Sequence, residues 1–188
     1  MSETLELIAR IQERAEELAT RTGRRKPVLH GKPANEALSS RLAAMPVSPP
    51  AAYTEFLGEH NGWENFWQNY SLIGAEGAHT DTALEDVAVT VDEDVWAQQK
   101  YFPDEAGDKY VGREDSDPDF IHLPNHPIVG TNFNGGLAIF DRRLGASDGQ
   151  AGMLLWTPAG VTDRYPSFVG FLEAVLASIE RDLAAANG

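Results

Sequence analysis

Residues 126–141 read HPIVGTNFNGGLAIFD, residues 152–156 read GMLLW, and residues 167–183 read SFVGFLEAVLASIERDL. Three short apolar runs lie in the first two segments, separated by turn-forming residues: 126–131, 136–141 and 152–156. Their spacing predicts three strands of an antiparallel meander. The third segment has apolar residues three and four positions apart behind Ser167, which can cap a helix. It therefore predicts a closing amphipathic helix.

Helical patterns precede these strands. Apolar residues at helical spacing predict a helix over residues 5–21, and a second, shorter helix is expected at 36–44. Ser48 and the two prolines after it start a third helix, which Asn61-Gly62 can end because both residues tolerate positive φ. Residues 70–73 predict a short strand. The order of helices, strands and a closing helix predicts an α+β fold, with a central antiparallel sheet flanked by helices.

The middle of the chain is less clearly patterned. Residues 83–91 fit either a strand or a helix. Residues 93–101 fit a helix with Val95 and Trp96 facing inward. Residues 103–125 contain several prolines and glycines, which predict a long polar loop.

The composition excludes several function classes. The 188 residues include 15 basic and 29 acidic side chains, a net charge of −14, and no cysteine. The lack of cysteine excludes a disulfide scaffold, a cysteine nucleophile and a thiolate metal site. The negative charge disfavours nucleic acid and anionic membranes as partners. No apolar run is long enough for a membrane span and no signal-peptide pattern opens the chain, so we expect a cytoplasmic protein.

No motif for catalysis, cofactor binding or metal binding stands out. His122 and His126 have the spacing of a helical metal pair, but Pro124 lies between them and disfavours a helix. A nucleophile elbow and a phosphate-binding glycine loop are both absent from the sequence. We therefore expect no enzymatic activity and no cofactor. The remaining catalytic alternative is a hydrolase that uses His60 or His126 with a carboxylate.

The negative charge is concentrated between residues 76 and 119, which hold 14 acidic and three basic side chains. Such a stretch is either a solvated loop region or a docking face for a cationic partner. For a docking face, the candidate partner-binding residues are six carboxylates: Asp92, Glu93, Asp94, Asp115, Asp117 and Asp119. The last three alternate like the start of a calcium loop, but the glycine and glutamate that such a loop needs are missing.

Tryptophans are the candidate apolar anchors. Trp63 and Trp67 follow the predicted end of a helix, where aromatic side chains usually pack in the core. Both remain candidates for partner contact, because tryptophan is enriched at interface hot spots. Trp96 and Trp156 are expected in the core. A different partner site would be the N-terminal helix with the basic cluster at 21–26, which would suit an intracellular scaffold or regulator.

Six segments of the chain occur in a characteristic order. The first two are a proline-led helix that stops at Asn-Gly (49–62) and a short strand (70–73). An apolar strand headed by proline (126–130) and a glycine-led strand ending in aspartate (135–141) follow. The last two are a further strand (152–156) and a Ser-Phe-x-x-Phe-Leu helix (167–172). The ordered set resembles the SUKH superfamily, the domain shared by the yeast cell-wall-assembly regulator and many bacterial proteins. The resemblance covers roughly residues 42–184.

The resemblance implies a SUKH-like α+β domain at 41–188, preceded by a helical extension at 1–40, and it brings no catalytic residues with it. Bacterial members are commonly immunity proteins that neutralise polymorphic toxins, often nucleases, by binding them. Other members are regulatory or scaffold modules. A nuclease domain is usually basic because it must attract phosphate, so an acidic surface could occlude its groove. We therefore expect an immunity-type protein, with a scaffold of the cell-wall-assembly-regulator type as the alternative.

Overall fold

One antiparallel sheet forms the centre of the computed structural model, which describes residues 2–101, 113, 117–144 and 151–186. Within these residues, seven strands follow in chain order across the sheet, and all neighbouring strands are antiparallel. Helices lie beside the sheet, so the predicted α+β fold is confirmed. The elements are α1 Glu3–Thr22, β1 Val28–Leu29, α2 Asn35–Ala43, α3 Ala51–Glu59, β2 Trp63–Trp67, β3 Tyr70–Leu72, α4 Ala78–Tyr101, β4 Ile128–Thr131, β5 Leu137–Asp141, β6 Gly152–Thr157, β7 Gly160–Tyr165 and α5 Phe168–Ala185.

The three apolar runs form β4, β5 and β6, as predicted. β5 and β6 pair in continuous register from Leu137 opposite Trp156 to Asp141 opposite Gly152. Strands β1, β2 and β7 were not expected. β7 lies at the edge of the sheet, and its three central side chains, Thr162, Asp163 and Arg164, are polar and exposed, so it lacks an apolar pattern.

The turn between β2 and β3 consists of Gln68 and Asn69. Both residues have positive φ, 45° and 66°. Trp67 and Tyr70 pair directly on either side of them, so the two strands form a tight hairpin. Two consecutive positive φ angles are the requirement of a type I′ turn, whose twist matches the twist of the flanking strands.

Both faces of the central strands are buried. On β5, Leu137 and Ile139 belong to one apolar cluster, whereas Ala138 and Phe140 belong to the other. This alternation follows from the two-residue period of a strand. Helices α1, α3 and α5 pack on one face of the sheet, and α4 packs on the other. The molecule is therefore a three-layer arrangement, and its central strands are apolar on both sides.

The first 40 residues are part of this core. Ser2 caps the start of helix α1, and its side chain accepts a hydrogen bond from the backbone N–H of Leu5. Ile8 and Ile11 are fully buried, and α1 packs along α5. β1 adds the first strand to the sheet. The ranges 1–40 and 41–188 drawn from the sequence thus share one apolar core, because α1 and α5 bury their stripes against the same side of the sheet.

The segment that the sequence left open between strand and helix is helical. Residues 78–101 form the single helix α4, which follows Gly77 at φ 89° and connects β3 to β4. Its inner side places Ala83 and Val87 against the sheet. Of the loop expected at 103–125, the structure describes residue 113 and residues 117–125, which include a short 3-10 turn. Among all described helices, none is both long and apolar enough to cross a membrane.

Candidate protein-binding surface

The outward side of α4 combines negative charge with exposed apolar side chains. The helix carries six acidic residues and one lysine. Its 3.6-residue period places one set of residues opposite the side that packs on the sheet, and we call this set the α4 surface: Glu85, Val89, Asp92, Glu93 and Trp96. All five side chains are exposed. Such a surface offers both charge and apolar area to another protein.

Trp96 is the most prominent member of the α4 surface. Its exposed fraction is 58%, the same as that of Val89, which lies two helical turns earlier. The Lys100 ammonium lies 4.5 Å from the centre of the Trp96 ring, at the distance of a cation–π contact. The expectation that Trp96 lies in the core was wrong. The helix period turns it away from the sheet, toward the solvent.

Asp92 and Glu93 are exposed, but Asp94 is turned toward the protein. Its Oδ2 accepts a hydrogen bond of 2.7 Å from the Gln98 amide nitrogen. Gln98 is buried; the same nitrogen donates to the Ile121 carbonyl at 3.4 Å, and the side-chain oxygen contacts His122 Nδ1 at 3.0 Å. Burial raises the pKa of Asp94 from 3.8 to about 6. Asp94 therefore serves the contact between α4 and residues 121–122, and only its exposed edge can reach a partner.

The acidic residues near 117 have local partners. Asp117 Oδ1 accepts a hydrogen bond of 3.0 Å from the backbone N–H of Asp119. The Asp119 carboxylate is exposed and forms an ion pair with Arg164 on β7. The structure thus places Asp119 beside the last strand, not on α4. Asp115 lies outside the described residues.

Trp63 and Trp67, the two expected anchors, belong to the opposite layer of the molecule. Trp63 is fully buried, its indole N–H donates to Gln12 Oε1 at 2.7 Å, and its ring stacks on Phe66. The prediction that Trp63 contacts a partner is therefore wrong, because no partner can reach this side chain in this fold. Trp67 is half-buried, with its ring edge-on to Phe171 at 6.1 Å. Trp156 is buried, as expected.

Three histidines lie around the turn that follows α3. The rings of His30 and His79 stack at 3.8 Å and are almost parallel, and His30 Nε2 contacts Glu64 Oε1 at 2.8 Å. His79 Nε2 lies 2.7 Å from the Asn61 carbonyl. His60 is half-buried, and burial lowers its pKa. This cluster was not expected from the sequence, because its members come from three separate segments.

His122 and His126 contact different parts of the protein. His122 Nδ1 contacts Gln98, whereas His126 Nδ1 lies 3.2 Å from the Phe140 carbonyl. A short 3-10 helix at Leu123–Asn125 lies between them, so the two residues are not on one α-helix. Within the part of the chain that the structure describes, no three His, Asp or Glu side chains are arranged to hold a metal ion.

The basic cluster at 21–26 follows the end of α1. Arg21 pairs with Glu17 of the same helix, and Arg24 pairs with Asp182 of α5 at 3.4 Å. Arg25 approaches Glu64 at 3.4 Å. Because α1 itself is packed against α5, a partner could reach only its outer side and this cluster.

Sequence reasoning missed Val89 and Trp96 as surface residues. Their seven-residue separation is a helical signal, but it becomes useful only when residues 78–101 are treated as one helix. The positions of the acidic residues did not indicate which side of α4 faces the solvent, because charges occur on both the inner and the outer side of the helix. No known protein family model and no curated protein matches this sequence.

Proposed function

We propose that the protein is a non-enzymatic binding module of the cytoplasm that uses the α4 surface to cover a basic protein. In this proposal the partner is a basic toxin domain, whose cationic groove is occluded by the carboxylates of α4. The observation that carries the proposal is the exposure of Trp96 among those carboxylates. The resemblance to SUKH immunity proteins supplies the toxin as the kind of partner.

The two components of the α4 surface have different physical roles. Glu85, Asp92 and Glu93 create a negative field, which accelerates the encounter with a cationic protein and weakens with salt. Trp96 supplies apolar area for the docked state, where a buried tryptophan is typically worth about 2 kcal/mol or more. The charges should therefore act mainly on the association rate, and Trp96 mainly on the dissociation rate.

The partner must first be isolated with the intact protein. Tagged protein is used to capture a complex from its own cells, and a basic toxin-like protein encoded beside it is expressed separately and tested directly. Binding rates are then measured at low and high salt. We expect Asp92→Asn with Glu93→Gln to slow association at least tenfold at low salt, and Trp96→Ala to accelerate dissociation at least tenfold.

A matched control is available on α5. Glu173 and Glu180 are exposed on that helix, so Glu173→Gln with Glu180→Gln removes the same number of charges away from α4. We expect this variant to bind like the unmodified protein. Binding that is insensitive to salt, to the double neutralisation on α4 and to Trp96→Ala would reject the proposal.

A further inference from the structure

A pocket of about 380 Å³ lies between α1, the β2–β3 hairpin and α5. Its volume falls within the range of roughly 300–1,000 Å³ that is usual for small-molecule sites. The pocket belongs to the layer of α1 and α5, on the other side of the sheet from α4. Any ligand bound there is therefore independent of the function proposed for the α4 surface.

The inner wall of the pocket is apolar. Ala15 and Ala19 lie one turn apart on the same side of α1, and their short side chains leave a hollow beside Leu18. Phe66 of β2 and Ile179 of α5 complete this wall, and both are almost fully buried. An apolar wall of this kind favours a ligand with an apolar body.

The outer rim of the pocket is rich in hydrogen-bond donors. Gly23, at φ 69°, ends α1 and is followed by Arg24 and Arg25, which both line the pocket. Their side chains are 61% and 74% exposed. Each guanidinium has five N–H donors. Arg24 contacts Asp182, whose carboxylate also lines the pocket, and Arg25 contacts Glu64, each at 3.4 Å. Both contacts are surface ion pairs, typically worth about 0–1 kcal/mol, and a bound anion can replace either carboxylate.

The hairpin turn forms the facing part of the rim. Gln68 and Asn69 line the pocket, are exposed, and are held in place by the type I′ turn. Their amide groups can both donate and accept hydrogen bonds. The combination of an apolar wall with two arginines, two amides and one aspartate favours a molecule that has an apolar body and one anionic group.

We propose that this pocket binds a small organic anion with a flat, apolar body, such as an aromatic carboxylate or an aromatic phosphate monoester. The anionic group contacts Arg24 and Arg25, and the flat body lies against Ala15 and Ala19. Because the protein as a whole carries a charge of −14, the local positive charge of the two arginines must supply the attraction. Affinity therefore depends on the charge of the ligand and decreases with salt.

The test uses isotope-labelled full-length protein and NMR titration at low salt. The probes are three anions, benzoate, 2-naphthoate and phenyl phosphate, each compared with its neutral counterpart, benzamide, 2-naphthamide and phenol. We expect at least one anion to cause saturable shifts in the backbone signals of Ala19, Gln68 and Asn69. We expect its neutral counterpart to bind at least tenfold more weakly.

Three variants locate the binding. Arg24→Gln with Arg25→Gln should weaken binding of the anion at least tenfold. Lys26→Gln with Lys32→Gln removes two positive charges outside the pocket lining and should change binding less than twofold. Ala19→Leu fills the hollow and should abolish binding without altering the charge. A dispersed amide spectrum verifies that each variant is folded.

The proposal is overturned if none of the three anions gives saturable shifts at the pocket, or if a neutral counterpart binds as tightly as its anion. It is also overturned if the double arginine variant or folded Ala19→Leu binds like the unmodified protein. None of these results bears on the α4 surface, which is tested by different variants.

Discussion

Replacement of Asp94 by asparagine should stabilise the protein at pH 8 and leave its stability almost unchanged at pH 4. The Asp94 carboxyl is half-buried on the inner side of α4, and burial raises its pKa from 3.8 to about 6. Asparagine has nearly the same shape, is neutral at every pH, and retains a carbonyl oxygen that can accept the hydrogen bond from Gln98. The substitution therefore removes the free-energy cost of a partly buried carboxylate charge and leaves the packing and the hydrogen bond nearly unchanged.

The magnitude follows from the change in pKa. A rise from 3.8 to about 6 corresponds to about 3 kcal/mol between the protonated and ionised forms. Asp94 is only partly buried, and solvent screening lowers this value. We expect Asp94→Asn to increase the free energy of unfolding by about 1–2 kcal/mol at pH 8.

The pH dependence has a defined sign. The folded protein holds the Asp94 proton more tightly than the unfolded chain does, because its pKa is raised on folding. The stability that this group contributes is therefore greatest below pH 4, is lost between about pH 4 and pH 6, and stays constant above pH 6. The difference between the variant and the unmodified protein should grow over the same interval.

Urea unfolding followed by tryptophan fluorescence at pH 4 and pH 8 measures the effect. Asp92→Asn is the control, since Asp92 is an exposed acid on the same helix, and it should change the stability by less than about 0.5 kcal/mol. Carbon NMR of the Asp94 carboxyl gives its pKa directly. A carboxyl that titrates near 4, or an Asp94→Asn variant that is less stable than the unmodified protein at pH 8, would refute the reasoning.

Three further sets of substitutions test the fold, each by denaturant or thermal unfolding. Trp63→Ala should cost about 3–5 kcal/mol because the side chain is fully buried, whereas Trp96→Ala should cost less than about 1 kcal/mol; similar losses at both positions would contradict the assigned burial. Arg143→Ala leaves the buried Asp141 carboxylate without its bidentate partner and should cost about 3 kcal/mol, most of which Asp141→Asn should restore in the double variant. Asn61→Ala removes hydrogen bonds to the backbone of residues 75 and 76 and should cost about 1–3 kcal/mol; an unchanged melting temperature would exclude that role.

The sequence predicted those elements of the fold whose burial follows from their own repeat of apolar residues. The stripe of α5 and the apolar runs of β4, β5 and β6 each repeat with the period of their own secondary structure. β1 shows the limit of this approach. It is two residues long and is defined by its pairing with β2, which lies more than 30 residues further along the chain.

The sequence predicted the candidate surface only in part. The sequence located the acidic segment, since charge is additive along a chain, but it did not separate Asp94 from Asp92 and Glu93. That separation depends on which side of α4 meets the sheet, and hence on the packing of Ala83 and Val87. Trp63 and Trp67 were the expected exposed anchors, whereas the structure buries Trp63 and exposes Trp96. The local sequence around each tryptophan does not reveal this difference, because burial depends on packing against distant segments.

The amino-acid sequence by itself determined the α+β class, the closing helix, the net charge of −14 and the exclusion of cysteine chemistry. Each of these depends on composition or on contacts between near neighbours. The tertiary structure decided the incorporation of α1 into the core, the direction of the α4 surface, and the pocket below Arg24 and Arg25. These features require segments far apart in the chain to meet, and the free energy that brings them together comes from the apolar area they bury jointly.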